Sequence, residues 1–200
     1  MSGIRGRLFR QKFYSTYIND VLSTFSDQTA SSSRVSGAYA ALAYLVRGVP
    51  QSVLTTNAPR LVPHLISGAR ILSSDDWNDT GAAEALLHSV LAMAQTEGSR
   101  ESVASNVDAL LALLCRMLTE PTSRSSRTRV LSLESLRQLA DAMPYALLYP
   151  HRMTVLGALT RCLDDDRRSV RVEAAACRSV WLGKFAPKGA VILGTSSAGR

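Results

Sequence analysis

The chain has 200 residues and carries 23 Lys and Arg against 16 Asp and Glu, a formal net charge of +7. Hydrophobic residues make up 46% of it and charged residues 20%, which is too apolar for wholesale disorder and ample for one domain with its own core. Aromatics at 6%, with 12 Gly and 7 Pro, exclude collagen-like and low-complexity classes; with abundant Ala, Leu, Ser and Arg they favour helix over sheet.

Residues 1–9 read as a basic N-terminal segment, expected to be partly disordered. The first 19 residues hold Arg5, Arg7, Arg10 and Lys12 and no acid, as mitochondrial transit peptides do. Against that reading, Phe13, Tyr14, Tyr17, Ile18, Val21, Leu22 and Phe25 continue as a core-facing stripe at helical spacing, so a helix is expected near 10–26. A polar run with three serines over 28–33 separates it from a helix near 34–48, and another follows near 51–73. Asp75, Asp76, Asn78 and Asp79 form a turn and cap cluster opening a helix near 79–96. Glu97-Gly98-Ser99 reads as a helix end, with Gly98 suited to the left-handed position beyond it. Helices are then expected near 100–119, 125–142, 146–163 and 167–184. A loop over 121–126 and the tight turn Asp164-Asp165-Asp166, whose last acid is placed to cap the next helix, interrupt them. Residues 185–200 are Gly- and Ser-rich around Val191-Ile192-Leu193 and read as a flexible tail. No window approaches the roughly 18 apolar residues of a membrane span, no secretory signal is visible, and no strand-like alternation stands out.

These elements repeat. Ile18, Leu65, Leu111 and Leu156 are spaced by 47, 46 and 45 residues, and Phe25, Leu72, Leu118 and Leu163 follow seven residues on with the same spacings. Seven residues is about two helical turns, so each pair lies on one face. Val49-Pro50 with Val53-Leu54 recurs as Met143-Pro144 with Leu147-Leu148, 94 residues later. A period of roughly 40–47 residues with two helices per unit predicts an all-α HEAT/armadillo-type α-solenoid of about four helical hairpins, about eight helices, over residues 10–184. The ends of such an array should be polar. Phe9, Phe13, Tyr14, Tyr17 and Ile18 make the first helix more apolar than one neighbour should cover, and the expectation is a C-terminal part of a longer array, or a truncated version of one.

Catalytic chemistry finds little footing. His64, His88 and His151 fall in different repeats without metal-ligand spacing. Cys115, Cys162 and Cys177 are odd in number, widely spaced and without a CxxC, which argues against disulfides, zinc ribbons and cluster ligation and suits a reducing cytosolic or nuclear setting. Asp164, Asp165 and Asp166 suit a solvated, capping turn better than a metal site, with Arg167 and Arg168 beside them. No phosphate loop, Ser–His–Asp order or paired carboxylates stand out. Two basic clusters remain: Arg124, Arg127 and Arg129, and Arg161, Arg167, Arg168 and Arg171. Such patches dock acidic proteins or nucleic-acid phosphates. The lack of interleaved aromatics favours protein, since stacking platforms are missing.

The last hairpin carries most detail. Leu147, Leu148, Met153, Val155, Leu156, Leu159 and Leu163 are expected to face the core from its first helix, and Val170, Ala174, Cys177, Val180 and Trp181 from its second. Arg171 and Glu173 are placed to reach the adjoining turn or the neighbouring repeat. The outer face of a terminal helix has no neighbour, which makes Asp165, Arg167, Arg168, Arg171, Arg178 and Lys184 the candidate partner-binding residues.

The stretch 147–152, the run Leu-Asp-Asp-Asp-Arg-Arg-Ser-Val-Arg-Val-Glu-Ala over 163–174, and then Arg178 and Trp181, closely resemble the C-terminal end of the MMS-nineteen family, called Met-eighteen in yeasts. Arg10-Gln11-Lys12-Phe13-Tyr14, the stretch 49–54, and Leu61-Val62-Pro63-His64-Leu65 also look like this family, so the resemblance spans most of residues 10–184. Val172 departs from the usual lysine, and family members are several times longer. The resemblance implies a non-catalytic adaptor of the cytosolic iron–sulfur assembly targeting complex, cytoplasmic and nuclear, binding no cofactor directly. Its implied partners are a MIP-eighteen-type small acidic protein, a WD-repeat propeller and apo iron–sulfur clients of DNA metabolism and repair. The alternatives are a generic HEAT-repeat adaptor and a basic nucleic-acid-binding helical repeat.

Overall fold

A computed structural model describes residues 2–73, 80–119 and 126–185, with side chains from Leu8 onward, Thr80 excepted. Among these residues there is no strand. The helices are α1 (Ser2–Ser26), α2 (Ser32–Val46), α3 (Gln51–Thr56), α4 (Ala58–Leu72), α5 (Thr80–Gln95), α6 (Glu97–Ala104), α7 (Val107–Thr119), α8 (Ser126–Ala142), α9 (Tyr145–Leu148), α10 (Arg152–Cys162) and α11 (Arg168–Phe185), with a 3-10 turn at Tyr149–His151. No single helix among them is long and apolar enough to cross a membrane.

They form four hairpins: α1 with α2, α3–α4 with α5, α6–α7 with α8, and α9–α10 with α11. The second helices stack in series, α2 on α5, α5 on α8 and α8 on α11, while α4, α7 and α10 stack beside them. Hydrogen bonds cross from unit to unit at one repeat length: Arg116 Nη2 donates to the Arg70 carbonyl 46 residues away, and Gln95 Nε2 to Gln138 Oε1, 43 away. The expected all-α solenoid is therefore the observed fold. Leu65, Leu72, Leu111 and Leu118 are buried, and Leu156 and Leu163 pack half-buried against the same core. The recurring proline pair also has a structural meaning. Pro50 and Pro144 stand at the N-caps of the short helices α3 and α9, each of which buries one leucine, Leu54 and Leu148. Proline suits this place because the missing N–H would be unpaired at a helix start in any case.

Several expectations are corrected. The first helix starts at Ser2, so residues 2–9 extend α1 rather than forming a separate segment; they contain no proline to stop it. The first helices of units two to four are broken, not continuous. Asn57 leaves the helical region at φ −102°, ψ 6°, while its Nδ2 donates to the Val53 carbonyl at 3.2 Å; Asn106 Nδ2 does the same to Ser102 at 2.8 Å. In each case a short side chain satisfies a carbonyl that helix continuation would have used. α6 and α7 meet at 74° across that break. In unit four the break falls at Pro150, which has no N–H to continue the helix.

Gly98 is not a left-handed helix end; it lies in the first turn of α6. Ser99 Oγ donates to the Met93 carbonyl at 2.8 Å and Arg100 Nε to the Ala94 carbonyl at 3.2 Å. These side chains take up the orphan carbonyls of α5, and no glycine cap is needed. Met153, expected in the core, is 68% exposed. Val155, Ala158, Leu159 and Cys162 form the buried stripe of α10, and Met153 sits some 200° around the helix from Val155. Phe185, assigned to the tail, is the last residue of α11.

The cluster at Asp75, Asp76, Asn78 and Asp79, residues 121–124 with Arg124, and the tail from 186 with Val191-Ile192-Leu193 lie outside the described residues. At the N-terminal end Tyr14 and Ile18 are buried, but Phe9, Phe13 and Tyr17 are exposed along one face.

Candidate docking surface

The acidic turn between α10 and α11 is built by Asp165, not by its last acid. Asp165 Oδ1 accepts from the Arg167 backbone N–H at 2.9 Å. The same carboxylate meets Arg129 of unit three in a bidentate fork, Nε 2.8 Å from Oδ2 and Nη2 3.2 Å from Oδ1, with both side chains largely shielded from water. Arg171 Nη1 donates to the Asp165 and Asp166 carbonyls at 2.6 and 3.0 Å. Glu173 accepts from Arg137 Nε at 3.0 Å, so both Arg171 and Glu173 make the turn and inter-repeat contacts expected of them. Lys184 Nζ donates to the Met143 carbonyl at 2.6 Å and to the Ala140 carbonyl, closing the C-terminal turn of α8 where carbonyls are unpaired.

Of the six candidate residues, then, Asp165, Arg171 and Lys184 are engaged within the chain. Arg167, Arg168 and Arg178 are exposed with side chains uncommitted among the described residues. They share the outer side of α11 with Val172, 58% exposed, and Leu182, 41% exposed. Trp181 points inward, fully buried, and its Nε1 donates to the Leu136 carbonyl at 3.1 Å.

A second part of this end escaped the sequence reading. Tyr145, Tyr149 and Phe185 gather with ring centroids 5.1 to 6.1 Å apart, and the Arg152 guanidinium lies 4.5 Å over the Tyr149 ring. Tyr145 and Tyr149 are about half exposed. Their i, i+4 spacing was a visible signal; the third member, Phe185, was hidden in the supposed tail. The result is an aromatic edge beside a cationic, partly apolar helix face, the mixture that protein contacts use.

The rest of the chemistry is interior. Cys115, Cys162 and Cys177 are buried, and burial pushes their thiols up, to about 11 for Cys115 and about 12 for Cys177. Far apart in sequence, they lie close enough for one thiolate to raise another. They stay protonated at neutral pH, unsuited to nucleophilic work. His64 stacks on Phe25 at 4.7 Å and its pKa is lowered by burial first and by Arg60 second. His151 Nε2 lies 2.9 Å from Asp108 Oδ1 in the neighbouring unit. Among the described residues no three His, Cys, Asp or Glu side chains converge on one point. Arg127 and Arg129 of the first basic cluster face Glu84 and Asp165 and are charge-paired.

Residues 5–140 match the family model described as RNAPII transcription regulator C-terminal. That stretch covers units one to three and stops short of the last hairpin. The chain is 29% identical over 174 residues to the MMS19 nucleotide excision repair protein homolog of Arabidopsis thaliana, covering 87% of this chain and 15% of the relative. It is 31% identical over 182 residues to the homolog of Danio rerio, 91% of this chain and 16% of the relative. It is 26% identical over 176 residues to the DNA repair/transcription protein mms19 of Schizosaccharomyces pombe, 87% of this chain and 16% of that protein. The chain thus spans about one sixth of the length of these relatives, and its match to the family model over residues 5–140 makes it a member of the MMS19 family, in that family's C-terminal region.

Proposed function

We propose that this chain is a non-catalytic docking scaffold of the cytosolic iron–sulfur assembly targeting complex, working in the cytoplasm and nucleus. On this reading it serves DNA repair and transcription, the processes named for its relatives. The observation that carries the reading is the end of the solenoid. Arg167, Arg168 and Arg178 stand on one exposed side of α11 with Val172 and Leu182, next to the Tyr145–Tyr149–Phe185 edge. A cationic rim around apolar side chains fits an acidic protein of the MIP-eighteen type, with a WD-repeat propeller as its companion. Apo iron–sulfur clients would be held by the same assembly, and the clusters handled by the partners.

The nucleic-acid alternative draws less support. The guanidiniums of Arg127 and Arg129 already face carboxylates, and phosphate would have to displace those partners. A generic HEAT adaptor shares the architecture and differs only in partners.

The deciding experiment reverses Arg167 and Arg168 to Glu and measures pull-down of the small acidic carrier. Binding is expected to fall while circular dichroism stays helical. Unchanged binding would remove the assignment. Elution from DNA at roughly physiological salt is expected; retention there would favour the nucleic-acid reading.

A further inference from the structure

We propose that a groove across the second helices of units one to three binds an extended, acidic polypeptide segment, at a place separate from the terminal docking surface. The groove has a volume of about 450 Å³ and runs over α5, between the C-terminal end of α2 and the start of α8, with α3 along one side. Two buried polar atoms among its lining residues have no hydrogen-bond partner: Gln51 Nε2, a donor, and Glu84 Oε1, an acceptor. Burying such groups unpaired is costly, and native chains leave few of them. The terminal torsion of Gln51 is soft, so its amide can turn into the groove at little cost, while Glu84 Oε1 is left open by a carboxylate held through its other oxygen.

A donor and an acceptor in one groove complement the C=O and N–H that every residue of an extended backbone carries. Charge decides the side chains. Arg47 is exposed at the α2 end, and Arg127, its side chain 79% exposed, stands at the α8 end with Nη2 2.7 Å from Glu84 Oε2. With Arg127 paired to Glu84, the positive charge left over at the groove is that of Arg47, and it favours acidic residues. Nucleic acid fits poorly. No Phe, Tyr or Trp lines the groove to stack a base.

The probe is a fluorescein-labelled, acetylated and amidated (Gly-Glu)5 peptide, followed by anisotropy against the full 200-residue chain at roughly physiological salt. Saturable binding is expected, weakened about tenfold or more when the glycine nitrogens are methylated, since that removes backbone donors. Gln51→Met and Glu84→Met are each expected to weaken it similarly. Gln51→Met should leave the thermal midpoint unchanged or higher, because an apolar group replaces an unpaired amide donor, and Glu84→Met should move it little, because the ion pair it also removes lies with the exposed Arg127 side chain. Glu84→Met is the sharper variant. A groove acting by charge alone would bind the acidic peptide more tightly once that carboxylate is gone, whereas this site binds it less. Absence of saturable binding, equal binding of the methylated peptide, tighter binding by Glu84→Met, or preference for a 15-residue oligothymidine would each overturn the proposal. Reversal of Arg167 and Arg168 is expected to leave peptide binding intact, so this site and the terminal surface fail or stand separately.

Discussion

The first and last of the four units are held to the middle two in different ways. Unit one meets unit two through rings: Phe25, stacked at 4.3 Å on Tyr39 of its own unit, stacks at 4.7 Å on His64 of unit two. Unit four is joined to unit three by directed polar contacts: Trp181 to the Leu136 carbonyl, Lys184 to the end of α8, Arg129 with Asp165 and Arg137 with Glu173. Apolar stacking is non-directional and tolerates sliding, whereas forked ion pairs and capped carbonyls set a register. The N-terminal unit also leaves Phe9, Phe13 and Tyr17 in water, while the C-terminal unit shows water arginines mixed with Tyr145, Tyr149, Met153, Val172 and Leu182.

Removing one large aromatic from each end tests this contrast directly. Trp181→Ala opens a cavity in a fully buried site and removes the hydrogen bond to the Leu136 carbonyl, and is expected to cost about 3–5 kcal/mol in urea unfolding. A loss under about 1 kcal/mol would mean that unit four is not anchored by this residue. Next in size comes Gly68→Ala, at the close approach of α4 to its neighbours. A Cβ there would stand 2.6 Å from Tyr39 Cδ1 and 2.8 Å from Leu86 Cδ1, and the overpacking should cost about 1–3 kcal/mol by chemical denaturation. A neutral outcome would show that the ring-based joint adjusts freely.

The pH response of the same joint is smaller. His64 has its folded pKa lowered below 6.5 by burial and then by Arg60. Between that lowered value and 6.5 the unfolded chain binds more protons than the folded one, so stability rises with pH through this window and is lost as pH falls below 6.5. Unfolding curves between about pH 5 and 7.5 should show this slope, and His64→Phe, which keeps a ring against Phe25, should flatten it. The smallest effect is expected for Phe13→Ala, at a ring 48% exposed, within about 0.5 kcal/mol by urea unfolding. A cost near that of Trp181→Ala would erase the difference between the ends.

Much of the architecture was readable before any coordinates. The apolar residues spaced by 47, 46 and 45 positions, and the two proline pairs, mark the hairpins because burial repeats whenever the same unit repeats. The breaks at Asn57 and Asn106 were not readable, because an asparagine ends a helix only where its amide finds a carbonyl one turn back. Met153 was misplaced because the break at Pro150 makes α10 a new helix whose stripe runs through Val155 and Cys162. The docking surface was half readable. Arg167, Arg168 and Arg178 could be named from their position on a terminal helix, but Tyr145, Tyr149 and Phe185 become one edge only when α9 and the end of α11 meet.

By itself the sequence determined the helical hairpins, their period and their stacking order, since these follow from which residues must leave water. Only the tertiary structure decided which charges face outward. Asp165 and Arg129 look as free in the sequence as Arg167 and Arg168 do, and Arg171 is placed within reach of the turn without a partner named. Yet the fold spends Asp165, Arg129 and Arg171 on one turn and one inter-unit fork. The reason is geometric. A guanidinium takes whichever carboxylate or carbonyl the neighbouring helix brings within about 3 Å, and that neighbour lies 36 residues away for Arg129 and Asp165.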